Sequence, residues 1–385
     1  MKIDPVAHTL PILNPVSWAT ALSRRATIEM GALPDGGASR EKVLAILESL
    51  ETHLEVARRH ERFHPHTMDE VVLKSGYRCI TSLPHTGDVQ TLRVSSDGVL
   101  AVGLNDGSIV VRRRGEYDRP CALTGHSAAV VAIEFLPDGR FISGAIDGTV
   151  RVWLPDAEGS GYTSSPVRWC CFPIRSLQVL PGDRLALSCE DGIVRLGGLH
   201  GIHYDILRPH DETHYPLSAA CSIQVLSDGR IVAGRDCGSI SIWTLGHRGW
   251  TASGLRAQGV SLLTCHQVLS QDRVVIGGSD SGLVLHSRFG DGWKSKVVSP
   301  TGAGLVNCVQ ALPDDRVVFG TVRADIWIVN LNDTTQSARL VGHAGKIVSL
   351  QVLPNGQIVS CATDNQVCIW DGDEVLRPEQ QGVVA

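Results

Sequence analysis

No apolar run in this chain approaches the roughly 18–20 residues of a membrane-spanning helix, so a helical span is not expected. The opening residues, MKIDPVAHTLPILNPVSW, lack the basic start and unbroken apolar stretch of a secretory signal, and Pro5, Pro11 and Pro15 interrupt them. Neither sign of charge dominates: 35 Lys and Arg stand against 40 Asp and Glu, for a net charge of −5. That balance gives no electrostatic case for nucleic acid or an anionic membrane as the main partner. The 11 cysteines include no Cys-x-x-Cys, and the adjacent Cys170-Cys171 makes a poor chelate. Most sit in apolar runs (Cys79, Cys221, Cys265, Cys308, Cys361), which reads as small buried hydrophobes in a reducing, cytoplasmic setting. A Gly-x-Ser-x-Gly elbow, a Walker loop and a strand-to-helix Gly-x-Gly-x-x-Gly are missing too, so no catalytic residue, cofactor or resident metal is expected.

What the 385 residues do contain is repetition. GHSAAVVAIEFLPDGRFISGAIDGTVRVW, residues 125–153, holds three β-rich runs separated by turns at Asp138-Gly139 and Asp147-Gly148. Its first turn recurs at Asp97-Gly98, Gly182-Asp183, Asp228-Gly229, Gln271-Asp272, Asp314-Asp315 and Asn355-Gly356, a period near 43 residues. The segments IEFLPDGR, LQVLPGDR, IQVLSDGR, HQVLSQDR, VQALPDDR and LQVLPNGQ precede or contain that turn in six units. Several short strands per fixed period of this length predict a seven-bladed β-propeller over residues 76–372, each blade too small to bury both faces alone. Gln178, Gln224, Gln267, Gln310 and Gln351 fall in one column on the innermost strand, where they are expected to satisfy backbone groups near the central channel. Outer strands are expected at Tyr77–Leu83, 120–124, 166–170, Tyr204–Leu207, 250–255, 293–298 and 337–341. The first lies ahead of the first blade, so it is expected to pair with the last and close the ring.

These residues resemble the WD40 repeat family, over about 77–372. In that family a Gly-His precedes the inner strand, a Ser or Thr lies on the second strand, an Asp in the second turn and a Trp at the end of the third. The second unit matches with Gly125-His126, Ser143, Asp147 and Trp153, and the seventh with Gly342-His343, Ser360, Asp364 and Trp370. The other units are partial. The first keeps His85 and Asp106 with Arg112 in place of Trp, the third Asp191 and the fifth Asp280. The fourth keeps Trp243 with Cys237 in place of Asp, and the sixth has Arg323 and Val329 in place of Asp and Trp. The resemblance implies that the two complete sets are internal hydrogen-bonded supports of a blade rather than catalytic triads. It also implies that the loops before the inner strand and between the second and third strands face the narrow rim, where partners often dock. Those loops offer Asp88, Asn105, Glu190, Arg235, Asp236, Asp280, Arg323 and Lys346. Arg235, Arg323 and Lys346 suit an acidic or phosphorylated segment; a merely solvated rim is the alternative.

Residues 1–75 do not repeat. Ser39 suits an N-cap and Glu41 the first turn, and Val43, Leu47, Leu50, Leu54 and Ala57 then recur at helical spacing to about Arg62. An amphipathic helix over about 40–62 is expected, either docked on the large domain or engaging a second partner. The order Leu33-Pro34, Ile46-Leu47, Leu50, Leu54, Phe63 is faintly similar to an F-box, with too long a gap after Leu-Pro. Residues 373–385 form a polar tail. His200, His203, His210 and His214, with Asp205 and Asp211, make the one histidine-rich cluster of the repeat region, a combination that suits zinc. The leading expectation is a non-catalytic scaffold or adaptor that binds a protein or peptide on the rim, in an oligomeric state the sequence leaves open. The alternatives are an enzyme or metal-binding propeller using the His200–His214 region, or the substrate adaptor of a ubiquitin-ligase-like complex.

Overall fold

The computed structural model describes residues 77–156, 161–168, 172–199, 204–209, 218–226, 228–247, 249–256, 260, 262–270, 273–278, 282–289, 292–312 and 315–372. The chain separates into two units, 1–71 and 72–385. The first unit, with the helix expected over about 40–62, lies outside the described residues, as does the tail 373–385.

The described part is all strand, a seven-bladed propeller of four-stranded antiparallel sheets. The chain first lays down β1 (Tyr77–Pro84). Blade 1 follows as β2 (Val89–Val94), β3 (Leu100–Leu104), β4 (Ile109–Arg113) and β5 (Glu116–Leu123), and blade 2 as β6 (Val130–Phe135), β7 (Phe141–Ala145), β8 (Thr149–Pro155) and β9 (Tyr162–Arg168). Blade 3 is β10 (Ile174–Leu180), β11 (Arg184–Cys189), β12 (Val194–Gly198) and β13 (Tyr204–Leu207). Blade 4 is β14 (Ala220–Val225), β15 (Ile231–Arg235), β16 (Ser239–Gly246) and β17 (Gly249–Arg256). Blade 5 is β18 (Leu263–Ser270), β19 (Arg273–Gly278), β20 (Leu283–Phe289) and β21 (Gly292–Val297). Blade 6 is β22 (Val306–Leu312), β23 (Arg316–Thr321), β24 (Ile326–Asn330) and β25 (Ser337–Leu340). Blade 7 takes β26 (Ile347–Val352), β27 (Ile358–Ala362) and β28 (Gln366–Gly372) from the end of the chain and its outer strand, β1, from the start.

Burial falls from the second strand outward. LAVGL, FISGA, IVAGR and IVSCA, the second strands β3, β7, β15 and β27, are buried at every residue, because both faces meet a neighbouring sheet. The outer strand β5 is mostly exposed. That explains why β5 and β9 begin at Glu116 and Tyr162, four residues before their expected starts: solvated strands leave little hydrophobic pattern to read. The cores lie between blades. Ile142, Val150 and Val152 of blade 2 pack with Ile174, Leu177 and Leu187 of blade 3 in one cluster. Phe319, Val317 and Trp327 of blade 6 meet Cys265, Val275 and Leu285 of blade 5 in another.

The turns carry the backbone cost. The first turn uses a left-handed residue in blade after blade, Gly98, Gly139, Gly229 and Gly356 among them, with Asp183 and Asp315 in the same region. In the second turn of blade 6 the left-handed residue is Ala324, at φ +68°. In that conformation the Cβ of alanine crowds the following carbonyl oxygen, so Ala324→Gly is expected to stabilise the protein by about 1 kcal/mol, read as a higher denaturant midpoint.

Candidate functional site

In blade 2 the polar set is a chain of donors with its ends tied. Trp153 Nε1 donates to Ser143 Oγ at 2.8 Å. The Ser143 hydroxyl is 2.7 Å from His126 Nε2, and His126 Nδ1 faces Asp147 Oδ2 at 3.3 Å and Thr149 Oγ1 at 2.9 Å. Indole N–H only donates, so the serine hydroxyl accepts from Trp153 and gives its proton to Nε2, leaving Nδ1–H to point at Asp147 and Thr149. Burial alone would raise the Asp147 carboxyl. Hydrogen bonds from His126 and Thr149, and from the backbone N–H groups of Ser127 and Thr149, instead hold it well below the usual carboxylate range. Blade 7 repeats the arrangement: Trp370 Nε1 to Ser360 Oγ at 2.8 Å, His343 Nε2 to Ser360 Oγ at 2.8 Å, and His343 Nδ1 to Asp364 Oδ2 at 3.0 Å. Ser143 and Ser360 are 0% exposed, so neither hydroxyl reaches a substrate. The arrangement satisfies buried polar groups and fixes the outer-to-inner loop onto the second turn.

The partial units show what replaces it. In blade 1, Val102 stands opposite Leu92 where blade 2 has Ser143 opposite Ile133. Both ring nitrogens of His85 lack a hydrogen-bond partner, and Arg112 donates to the carbonyls of Pro84, at 2.8 Å, and Tyr117. Burial, with the Arg112 charge, pushes His85 down to about 4. In blade 4, Trp243 Nε1 donates instead to the Arg208 carbonyl at 2.9 Å. In blade 5, His286 takes the tryptophan place in the register and bonds Ser295 Oγ at 2.9 Å. His266, on the inner strand of that blade, has Nδ1 at 2.5 Å from Ser222 Oγ and no partner for Nε2. Burial pushes both His266 and His286 down to about 4.

These three histidines set an acid limit. Each is neutral in the fold until the pH nears 4, whereas in the unfolded chain it takes up a proton below about 6.5. Between those values the unfolded state binds more protons, so their contribution to stability is complete above about pH 6.5 and is lost as the pH falls toward 4. The buried His266 contributes a slope of up to about 1.4 kcal/mol per pH unit. The melting temperature is expected to fall steadily from pH 7 to 4.5, and less steeply in His266→Gln.

The glutamine column joins blade to blade. Gln178, Gln224, Gln310 and Gln351 accept from the backbone N–H of Val225, Val268, Val352 and Val94, each on the innermost strand of the next blade, at 2.5, 2.7, 2.8 and 2.7 Å. The last of these crosses the seam between blades 7 and 1, and Gln351 Nε2 also donates to the Val94 carbonyl at 2.9 Å. Sequence reading missed two members of the ring. Glu134 lies in the glutamine column of IEFLPDGR and Arg93 holds the same place in blade 1; their side chains form an ion pair between blades 1 and 2. The shared column was the signal for both.

The rim residues divide. Asp88 and Arg323 are exposed, Lys346 and Glu190 half-buried, and all four lie on one end of the propeller, at outer-to-inner loops or second turns. Asp280 lies outside the described residues. Arg235 corrects the sequence reading. It is the last residue of β15 rather than a loop residue, it is 1% exposed, and its Nη2 donates to the Ser218 carbonyl at 3.1 Å. Other blades carry Ala145, Cys189 or Ala362 at that register position, so the side chain points into the space between blades. Next to it, burial raises the Asp236 carboxyl against a hydrogen bond from Ser218 and the nearby Arg235 and Arg175. Trp250 and Trp293, near the starts of outer strands, are half-buried and pack against interblade clusters. His200, His203, His210, His214 and Asp211 lie outside the described residues. Asp205 is exposed, 3.8 Å from the Arg184 guanidinium. Among the described residues no helix is long and apolar enough to cross a membrane.

Comparison with known proteins agrees with this geometry. The family model described as WD domain, G-beta repeat, matches residues 119–153 and 334–371. Those two segments hold the complete His–Ser–Asp–Trp sets. Pre-mRNA-processing factor 19 of Oryza sativa subsp. japonica is 28% identical over 116 residues, which cover 27% of this chain and 21% of that protein. The crystal structure of the WD40 beta propeller domain of Doa1 superposes with a TM-score of 0.63 at 15% identity, over 78% of this chain and 98% of that one, a likeness of fold alone.

Proposed function

Because this chain belongs to the WD40 repeat family, whose propellers are generally protein-interaction scaffolds, we propose that it is a non-catalytic scaffold that binds an acidic protein or peptide segment on the rim of blades 6 and 7. The observation that carries this reading is the position of Arg323 and Lys346. Arg323 replaces the second-turn aspartate of blade 6, is exposed, and spends one donor on the Gly302 carbonyl at 2.8 Å. Lys346 lies on the loop that enters blade 7, and burial pushes its ammonium down to about 8, which leaves it mostly charged at pH 7. Second turn and following loop are neighbours elsewhere in the ring: a Cβ on Gly107 would lie 2.5 Å from the His126 carbonyl oxygen, and one on Gly192 2.4 Å from that of Ser218. Two cations on such a pair of loops suit a carboxylate or phosphate group. Asp88, on the next blade, sets the limit of the basic sector. A reducing, cytoplasmic setting belongs to the same proposal.

An array of immobilised acidic and phosphorylated peptides tests it. The full chain is expected to retain a subset in a salt-sensitive way, and Arg323→Glu with Lys346→Glu is expected to weaken retention about tenfold or more. Equal retention by the double variant would remove the proposal.

A further inference from the structure

The seam at which the ring closes brings together cysteines from opposite ends of the propeller. Cys79 lies on β1 and Cys368 on β28. In the antiparallel register Cys79 stands opposite Trp370 and Ser82 opposite Cys368, with a bulge between Cys79 and Thr81. Strict alternation would send Cys79 and Ser82 to opposite faces of the sheet. The extra residue of the bulge cancels that alternation and sets both on the face shared by Trp370 and Cys368. That makes Cys79 and Cys368 diagonal neighbours on facing strands of one sheet face. Cys368 Sγ is 3.9 Å from Ser82 Oγ and 4.0 Å from His343 Nδ1. Burial pushes the Cys368 thiol up to about 12, with a smaller contribution from the nearby Cys79 thiol. Their exposure differs: Cys79 is open to solvent and Cys368 is buried at 4%. No other described strand of blade 7 comes from the start of the chain, so these thiols span the one place where the ring is held without chain continuity.

We propose that Cys79 and Cys368 are a dithiol site that a small disulfide of the glutathione class oxidises into a covalent lock across the propeller seam. The exposed Cys79 thiolate attacks one sulfur of the small disulfide. That S–S bond breaks, one small thiol leaves, and a mixed disulfide forms on Cys79. Cys368 then attacks Cys79 Sγ; its proton passes to the departing second small thiol as the Cys79–Cys368 bond forms. Two protein thiols are oxidised by two electrons, and one small disulfide is reduced to two thiols. The order follows from access, since only Cys79 meets a reagent in solution and the second step is intramolecular. In a reducing compartment the pair rests as thiols, and the lock closes when the disulfide pool rises.

The full chain, incubated with oxidised glutathione, alkylated and digested without reductant, tests the site. The expected product is the Cys79 peptide joined to the Cys368 peptide, lighter by two hydrogens than their sum and separated by reductant. Because the bond closes a very long loop, the oxidised protein is expected to melt about 5 °C or more above the reduced protein. Cys79→Ser, a change at an exposed position, is expected to give neither the joined peptide nor the rise. Glutathione left on Cys79 with Cys368 free to be alkylated would overturn the proposal. So would an equal rise in melting temperature in Cys79→Ser.

Discussion

Deletion of residues 1–84 is expected to abolish the cooperative unfolding transition of the propeller, while deletion of residues 1–76, which spares β1, is expected to keep it. The two truncations differ by the closing strand. That strand has seven register partners on β28, from Tyr77 opposite Gly372 to Pro84 opposite Gln366. Without it, blade 7 ends in an open edge whose unpaired backbone groups invite association between chains. The side chains beneath also lose cover: Val367 is 0% exposed and Trp370 2%. An uncovered strand and an open ring together amount to about 5 kcal/mol or more, comparable to the stability of a whole domain. Thermal scans followed by circular dichroism, with light scattering to detect association, check this. Equal transitions in both truncations would mean that the ring does not depend on its seam.

Trp153→Ala carries the second large effect, a loss of about 3–5 kcal/mol. Trp153 is 2% exposed and lies nearly parallel to Phe141, with ring centroids 5.6 Å apart at 10°. Its removal opens a cavity at the junction of blades 1 and 2, where Ala101, Ile109 and Val111 pack against Ile133 and Phe141. It also takes the donor from Ser143 Oγ. Trp153→Phe retains most of the ring and loses the hydrogen bond, so a smaller loss of about 1–2 kcal/mol is expected. Urea unfolding separates them, with the midpoint shifting and the slope unchanged. Losses below about 1 kcal/mol for the alanine variant would contradict a supporting role for the tetrad.

The repeat was legible because the propeller writes the same constraints into each blade. A left-handed first turn selects Gly or Asp, as at Gly98 and Asp183, and a strand buried on both faces selects a continuous apolar run such as LAVGL. Those constraints are local and recur at a fixed period. The solvated outer strands impose little, and the expected starts of β5 and β9 fell four residues late for that reason. The tetrad residues could be found because they answer to each other at fixed offsets. The rim could not be read to the residue. Whether a charged side chain at the end of the second strand faces solvent or the neighbouring blade depends on a register shift of one position, and Arg235 lies on the buried side of it. Replacement residues were harder still. Arg112 and His286 stand where a tryptophan belongs, and their partners, the carbonyls of Pro84 and Tyr117 and the hydroxyl of Ser295, share no pattern with blade 2.

On the proposed function, polar residues such as Ser143 hold a blade and polar residues such as Arg323 meet the partner. The dissociation constant of the retained acidic peptide, measured at a temperature where every variant is folded, tests that division most directly. Ser143→Ala is expected to leave the constant within about twofold, because Ser143 is sealed inside blade 2. Arg323→Glu is expected to raise it about tenfold. Weakened binding in the folded Ser143→Ala protein, with binding intact in Arg323→Glu, would contradict the account.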